Sequence, residues 1–274
     1  MKTFFSHSYI CSATLLVSAF VVTGLGTTAQ AQSSCSSDGQ RAPSAVLERF
    51  ISADCTGCWA APTLPVAAAG QASLDWIVPS AQGDEAALSA AATNDAAARL
   101  QALQLAWATA QANQQTSALL PGPRTTAAST LRVAHGLPVN GYIGTSIEFM
   151  PSAALRRTAL LAKKHSSQSD VREVQAYVVL VETLPAGTEG SQIERHLVRN
   201  MLELRWDLGQ QLSRSGQVGF KPLFESRPLS LPQGVNPERL RVLGWVQAAG
   251  QAPENGLAKL PAQVLAMAQS YCTP

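Results

Sequence analysis

Short apolar stretches of strand length recur along this chain after residue 40, and glycine and proline separate many of them. Stretches of about four to eight apolar or alternating residues between such turn residues are typical of β-strands. Asn140-Gly141, between two of these stretches, is typical of a tight hairpin turn. The pattern predicts strands at 44–51, 73–78, 130–136, 142–149, 171–183, 239–247 and 263–271.

Helical spacing is clearest in the alanine-rich region at 84–112. Leu100, Leu103 and Trp107 follow the i, i+3, i+7 spacing of one helix face. Thr93 or Asn94 can cap that helix, because a short polar side chain at the start of a helix accepts a hydrogen bond from an otherwise unpaired backbone N–H. These residues predict one amphipathic helix in the first half of the chain.

The Pro-Gly-Pro sequence at 121–123 ends the helical pattern, and strand-like alternation dominates beyond it. Residues 151–165 are the exception, since their pattern is more helical than extended. Short strands separated by proline-rich turns are typical of a β-sandwich. We therefore expect an α/β domain at 32–125, followed by a β-sandwich-like domain at 126–274.

The N-terminus has the features of an export signal. Lys2 is the only charged residue before Asp38, an apolar run covers about 10–25, and Ala29-Gln30-Ala31 follows. The small-x-small pattern predicts cleavage after Ala31. An uncleaved anchor helix is the alternative, because the run approaches the ~17 residues that a membrane span needs. Cleavage is favoured, and it predicts a periplasmic or secreted protein with no transmembrane segment in the mature chain.

Composition then excludes several classes of protein. Removal of 31 of the 274 residues leaves 243, and loss of Lys2 lowers the formal charge from +2 to +1. Hydrophobic residues make up 46% of the chain and charged residues 14%, which argues against general disorder. The near-zero charge argues against an electrostatic nucleic-acid binder. The sequence implies no cofactor and predicts no oligomeric state.

Cys55 and Cys58 form a CxxC motif directly after a predicted strand. A cysteine in the first turn of a helix has a stabilised thiolate, and a second cysteine three residues later can close a disulfide with it. In this interpretation Cys55 is the attacking thiol and Cys58 the resolving one. Glu48, on the preceding strand, is the candidate proton acceptor, with a plain surface strand residue as the alternative.

Other chemistry for the motif remains open at this point. The pair can be an inert structural disulfide, as in many secreted proteins. It can also be a zinc site or a module that carries a soft metal such as Cu(I) or Zn²⁺. Zinc usually needs four ligands, and His135, His165 and His196 have no ligand-like spacing, so the sequence predicts no metal. His196 is either a general base or, more simply, a polar strand residue.

The mature chain keeps two further cysteines, Cys35 near its start and Cys272 near its end. Four cysteines allow three connectivities. If Cys55 pairs with Cys58, then Cys35 pairs with Cys272 and joins the two ends of the chain. That arrangement predicts a structural disulfide.

Three segments, 45–58, 189–200 and 237–247, resemble the motifs of a family of secreted bacterial proteins catalogued as domain of unknown function 1223. The early and the terminal cysteine are also similar to members of that family. The resemblance implies a thioredoxin-like fold for 32–125 and a thiol–disulfide oxidoreductase with Cys55 and Cys58 as its redox pair. Its partners would be other exported thiol or disulfide proteins.

The chain departs from the family's pattern at three places. Trp59-Ala60 stands where the family has a double proline after the CxxC, and Asp75-Trp76-Ile77 is the nearest counterpart of an aromatic stretch. The family's cis-proline, which borders a thioredoxin-like disulfide, has Pro138 as its candidate here, with Pro123 as another. These departures indicate a divergent member.

Overall fold

A computed structural model describes residues 35–61, 65–108, 114–123, 129–162, 173–214, 220–248 and 263–272. Residues 32–274 form one compact unit. The predicted export signal at 1–31 lies outside the described residues. Within the described ranges, no helix has both the length and the apolar character needed to cross a membrane.

The described chain is mixed α/β with mostly strand. In chain order the strands are β1 (Cys35–Ser36), β2 (Ala45–Ser52), β3 (Ala72–Val78), β4 (Gln115–Pro121), β5 (Thr130–Val139), β6 (Tyr142–Met150), β7 (Glu173–Leu184), β8 (Arg195–Asp207), β9 (Leu223–Ser230), β10 (Leu240–Ala248) and β11 (Val264–Gln269). The α-helices are α1 (Thr56–Ala60), α2 (Asn94–Ala102), α3 (Ala153–Ala162) and α4 (Leu208–Arg214).

The strands form two sheets. The smaller has the order β1-β5-β6-β9, and the larger has the order β11-β10-β7-β8-β3-β2-β4. Most neighbours are antiparallel, but β2 and β3 run parallel and are connected through α1. β3 and β8 are also parallel, and a single residue pair, Asp75 with Leu197, joins them. β3 and β8 are therefore only weakly paired within the large sheet.

The two sheets bury an apolar core between them. Val133 and Ile147 of the small sheet pack in one cluster with Val178 and Val242 of the large sheet. Gly244 lies where the sheets come closest, since a Cβ atom there would lie 2.6 Å from Cγ1 of Val133. A glycine at this position lets β5 approach β10.

A second apolar cluster lies on the opposite face of the large sheet, since its residues alternate along the strands with those of the first cluster. It combines Phe50, Trp76 and Trp245 with Leu100 of α2. Phe50 and Trp76 stack with ring centroids 6.0 Å apart. Aromatic side chains bury large apolar areas, so these stacked rings contribute to the stability of this face of the sheet.

The seven predicted strands are present, with bounds that differ by at most three residues. The helix at 153–162 and the hairpin turn are also confirmed, and Asn140 and Gly141 both have positive φ. Thr93 caps α2 through the N–H of Asp95, as predicted. That helix ends at Ala102, however, so Leu103 and Trp107 pack against the second cluster from beyond it.

The predicted division at 125/126 does not coincide with a division between sheets. Strands from before residue 125 pair with strands from after it in both sheets, β1 with β5 and β3 with β8. The coarse prediction of a mixed α/β chain rich in strands is confirmed, and the described strands form two sheets. The thioredoxin-like part of that prediction stays a hypothesis.

Candidate functional site

Cys55 and Cys58 lie at the turn between the parallel strands β2 and β3. Their Sγ atoms are 1.88 Å apart, at disulfide distance. Cys55 is the residue that caps α1, and its Sγ accepts a hydrogen bond from the backbone N–H of Cys58 at 3.2 Å. The β2–α1–β3 connection therefore places the CxxC motif where the sequence predicted it, after a strand and at the start of a helix.

The disulfide is largely covered. Cys55 is 3% exposed and Cys58 is 8% exposed, whereas Thr56 and Gly57 between them are exposed. Both sulfurs belong to an apolar cluster that includes Ile51 and Ile77. The two spacer residues are therefore more accessible to solvent than the cysteines on either side of them.

Arg195, at the start of β8, holds the C-terminal side of this turn. Its Nη2 donates hydrogen bonds to the carbonyls of Cys58, at 3.0 Å, and Trp59. The guanidinium carbon lies 5.0 Å from the centroid of the Trp59 ring. Arg195 is 1% exposed, and burial lowers its pKa, with Asp75 opposing that shift. A buried cation thus touches the backbone of the CxxC motif.

Asp75, in the middle of β3, is the carboxylate that balances this cation. It is fully buried and accepts hydrogen bonds from Arg195 Nη1 at 3.3 Å and from Arg49 Nη2 at 2.8 Å. Its Oδ2 also accepts the backbone N–H of His196 at 2.7 Å. One carboxylate therefore lies between two guanidinium groups, and a chain of polar contacts runs from Cys58 to Arg49.

The segment at 185–194, between β7 and β8, covers α1 from outside. Glu189, at positive φ, accepts a hydrogen bond from Trp59 Nε1 through its backbone carbonyl at 2.8 Å. The N–H of Gln192 donates to the carbonyl of Ala60 at 3.1 Å. These contacts attach the short helix to the segment that connects β7 and β8.

Glu48, the candidate proton acceptor, is placed elsewhere. Its side chain lies on the same face of β2 as Val46 and Phe50. Ile51 lies on the opposite face and packs with the disulfide. Arg99 of α2 pairs with it at 2.6 Å, and both side chains are buried. The structure therefore does not bring Glu48 to the cysteines, because a strand residue serves only one face of its sheet.

Pro138 lies near the end of β5 in the small sheet, opposite Ile143. All peptide bonds between described residues are trans, and this includes the bond before Pro138. Pro123 follows β4 at the edge of the large sheet. The cis-proline that the resemblance implies beside the disulfide is thus not found among the described residues.

The Sγ atoms of Cys35 and Cys272 lie 1.94 Å apart, as the sequence predicted for a structural disulfide. His135 pairs with Cys35 across the sheet, and its ring offers a ligand atom within 4.8 Å of the two sulfurs. Sequence spacing missed this neighbour, because only the β1–β5 register brings it there. With both sulfurs in the disulfide, the imidazole is the one ligand that the group offers a metal.

His196 follows Arg195 and donates or accepts hydrogen bonds at both ring nitrogens. Nδ1 lies 2.7 Å from Nη2 of Arg241, and Nε2 lies 3.3 Å from a carboxylate oxygen of Glu194. Burial, reinforced by the cation of Arg241, lowers the pKa of His196 to about 4. The imidazole is therefore neutral at pH 7 and accepts the Arg241 hydrogen bond at Nδ1.

The residues that sequence reasoning missed are Asp75 and Arg195 as a pair. One signal was present, since a charged residue in the middle of the apolar stretch 73–78 needs a buried partner. The partner lies 120 residues away in sequence and only the fold brings it near. No protein-family model, no curated protein and no solved structure matches this chain.

Proposed function

We propose that the protein is an exported thiol–disulfide oxidoreductase in which Cys55 and Cys58 are the reactive pair. The observation that carries this proposal is the position of the CxxC disulfide, at the turn of a parallel β2–α1–β3 unit with Cys55 as the capping residue. Export rests on the N-terminal signal pattern. The resemblance to the thioredoxin-like family points in the same direction.

The local hydrogen bonding supports Cys55 as the more acidic thiol. Its Sγ already accepts the N–H of Cys58, and the same N–H would stabilise a thiolate after reduction. The Arg195 guanidinium, bound to the Cys58 and Trp59 carbonyls, adds positive charge near the pair. A thiolate stabilised in this way is the better leaving group when a disulfide to Cys55 is broken.

The proposed reaction is a two-electron exchange. The Cys55 thiolate of the reduced protein attacks a disulfide of the substrate and forms a mixed disulfide, and one substrate sulfur leaves as a thiolate. Cys58 then loses its proton to solvent and attacks Cys55, which releases the second substrate thiolate. The substrate disulfide is reduced and the Cys55–Cys58 disulfide forms; the reverse sequence oxidises a substrate dithiol.

A second candidate is a non-enzymatic secreted protein with two inert disulfides. The low exposure of the sulfurs, 3% for Cys55 and 8% for Cys58, favours it. Exchange requires in-line access to one sulfur, so a covered pair reacts only when the turn opens. Delivery of a soft metal by the CxxC is less well supported, because no third ligand group joins Cys55 and Cys58 within the described ranges.

Trapping of a mixed disulfide separates the two candidates. Cys58→Ser leaves Cys55 without its resolving partner, so an oxidoreductase should accumulate a covalent adduct with an exported dithiol or disulfide protein. Cys55→Ser is the matched control and should accumulate much less adduct, because Cys58 lacks the helix-capping position that stabilises the Cys55 thiolate. Equal trapping by the two variants, or no adduct with either, would favour the inert disulfide.

A further inference from the structure

We propose that a cleft between β3 and β8 binds a small organic carboxylate, with the anionic group held by Arg49 and Arg241 and an apolar body against the cleft walls. This site is separate from the disulfide chemistry, and it does not depend on whether Cys55 and Cys58 exchange. Three features of the molecule support it: the shape of the sheet, two guanidinium groups and the neutral partners around them.

The cleft exists because the large sheet is splayed. Only Asp75 and Leu197 pair between β3 and β8, so the first residues of both strands diverge. The space measures about 400 Å³. Its apolar walls include Leu74, Val181 and Leu243. Clefts of about 300–1,000 Å³ with apolar walls and a few convergent polar groups are typical small-molecule sites.

Arg49 lines this cleft with a hydrogen-bonding group that has no protein partner. The side chain is 3% exposed, and its Nη2 binds Asp75 at 2.8 Å. Its Nε is buried and donates to nothing in the described part of the chain. A buried N–H without an acceptor destabilises the folded protein, and more so when the group is charged. A ligand carboxylate that reached this guanidinium from the cleft would meet a cation whose hydrogen bonds to the described protein are incomplete.

Arg241 enters the same cleft with neutral partners. It donates to the Thr183 hydroxyl and to Nδ1 of His196. Among the described residues no carboxylate lies within ion-pair distance of its guanidinium. Burial lowers the pKa of Arg241, which reflects the cost of holding this cation away from water. An anion beside it would offset that cost.

The charges that face the cleft leave an excess of one positive charge. The cations are those of Arg49, Arg241 and the adjoining Arg195. The anions are those of Asp75, which is fully buried, and Glu194, whose side chain is 58% exposed. Glu194 points its carboxylate at His196 Nε2, outside ion-pair distance of Arg241. One excess charge fits a monocarboxylate better than a multiply charged phosphate.

The remaining polar groups of the cleft are neutral. They are Ser73, Gln71, Gln269, Tyr271 and the neutral imidazole of His196. The hydroxyl and amide groups among them donate hydrogen bonds to a carboxylate without adding charge. A planar carboxylate also matches the fork geometry of a guanidinium group. The combined chemistry favours an aromatic or branched monocarboxylate over a sugar or a cation.

Three probes with the same ring and different charge test the site. Thermal unfolding of the oxidised full chain would be followed with benzoate, benzyl alcohol and benzylamine at equal concentration. A ligand that binds the folded state raises the melting temperature with its concentration. We expect benzoate to raise it and the neutral and cationic analogues to have little effect. No benzoate response, or an equal response to all three probes, would overturn the proposal.

Two variants assign any response to the cleft. Arg241→Gln removes the cation but keeps a donor toward His196 and Thr183. Gln71→Glu adds a negative charge while keeping the side-chain oxygen that accepts the Ala68 N–H. Each should weaken benzoate binding by at least about tenfold, or roughly 1.4 kcal/mol. Because Gln71→Glu changes one atom at a half-buried position, it still tests the site if Arg241→Gln fails to fold.

Arg132→Gln is the matched control, since Arg132 forms an exposed ion pair with Asp38 outside the cleft. Its benzoate affinity should equal that of the wild type. Cys55→Ala/Cys58→Ala should also bind benzoate normally, because neither sulfur lines the cleft. Loss of binding in the control Arg132→Gln, or retained binding in both cleft variants, would contradict the site. Neither outcome depends on the proposed redox activity.

Discussion

At the scale of single residues, the main feature is a set of buried ion pairs. Asp75 lies between Arg49 and Arg195, and Glu48 pairs with Arg99 on the opposite face of the same sheet. A buried ion must be paired, because the cost of removing it from water otherwise outweighs other local contacts. The charged side chains of β2 and β3 therefore contribute to how the strands around the CxxC motif are fixed.

Replacement of Asp75 by Asn should destabilise the fold strongly. The change leaves two buried guanidinium groups facing each other without a carboxylate, and breaking a buried pair costs about 3–5 kcal/mol. Urea unfolding followed by tryptophan fluorescence measures the loss. Asp38→Asn is the control, because its ion pair with Arg132 is exposed and such pairs contribute about 0.2–1 kcal/mol. Similar losses in the two variants would contradict the account of Asp75.

His196 predicts a dependence of stability on pH. Its pKa is about 4 in the folded state, below the ordinary value of 6.5, because burial and Arg241 disfavour the cation. As pH falls from 6.5 towards 4, the unfolded chain takes up a proton that the folded chain does not. The free energy of unfolding should therefore decrease across this window.

His196→Gln should flatten that decrease, since Gln keeps an acceptor for Arg241 and does not titrate. The urea midpoint measured at several pH values gives the slope for both proteins. Part of the slope should remain, because burial also lowers the pKa of His135. An unchanged slope in His196→Gln would show that His196 does not hold its neutral form in the folded protein.

At the scale of elements, the apolar pattern predicted seven of the eleven described strands and missed four, β1, β4, β8 and β9. In β8 and β9, charged and polar residues interrupt the apolar ones, so the hydrophobic pattern of these two strands is weak. β4 ends in proline at the edge of the large sheet, where a missing N–H is tolerated. The fold around the motif was thus predictable from the buried strands β2 and β3, but the strand that supplies Arg195 was not.

The closest approach of the two sheets predicts a sharp effect of one methyl group. Gly244→Ala would place Cβ 2.6 Å from Val133 Cγ1 and 3.3 Å from the Tyr177 carbonyl oxygen. Overpacking of this kind costs about 1–3 kcal/mol. Gly144→Ala in β6 is the control, because a Cβ there meets no atom within 4 Å. Thermal or urea unfolding compares the two variants.

Val133→Ala should restore part of the stability of Gly244→Ala, since it removes the methyl group that the new Cβ would meet. The interaction energy from the double-mutant cycle should therefore be favourable. If the stability losses of the two single variants simply add in the double variant, a clash between positions 244 and 133 does not explain the loss in Gly244→Ala.

At the scale of the whole molecule, the two ends of the described chain are joined. The N–H of Ser36 donates to the carbonyl of Tyr271 at 3.1 Å, and the Cys35–Cys272 disulfide lies beside this pair. The cysteine count predicted this link, but the register that places His135 next to it depends on β5. Likewise, no local pattern indicated that strands from both halves share both sheets, because pairing of distant strands leaves no periodic signal.

Removal of this link should cost more stability than removal of the CxxC disulfide. Cys35→Ala/Cys272→Ala frees a loop of 237 residues in the unfolded state, which the chain-entropy model values at about 5.5 kcal/mol. Cys55→Ala/Cys58→Ala frees a loop with a sequence separation of only three residues, so it should lose much less stability through this entropic effect. Denaturant unfolding of both double variants under oxidising conditions gives the comparison. The opposite ranking would contradict a structural role for the terminal disulfide.

The reduction potential of the Cys55–Cys58 pair tests the central proposal most directly. The oxidised protein would be equilibrated with glutathione buffers, alkylated and digested, so that mass spectrometry measures each cysteine pair separately. The redox proposal predicts a reversible transition of Cys55–Cys58 between about −120 and −270 mV while Cys35–Cys272 stays oxidised. A Cys55–Cys58 pair that remains oxidised below about −300 mV would contradict the proposal and identify both disulfides as structural.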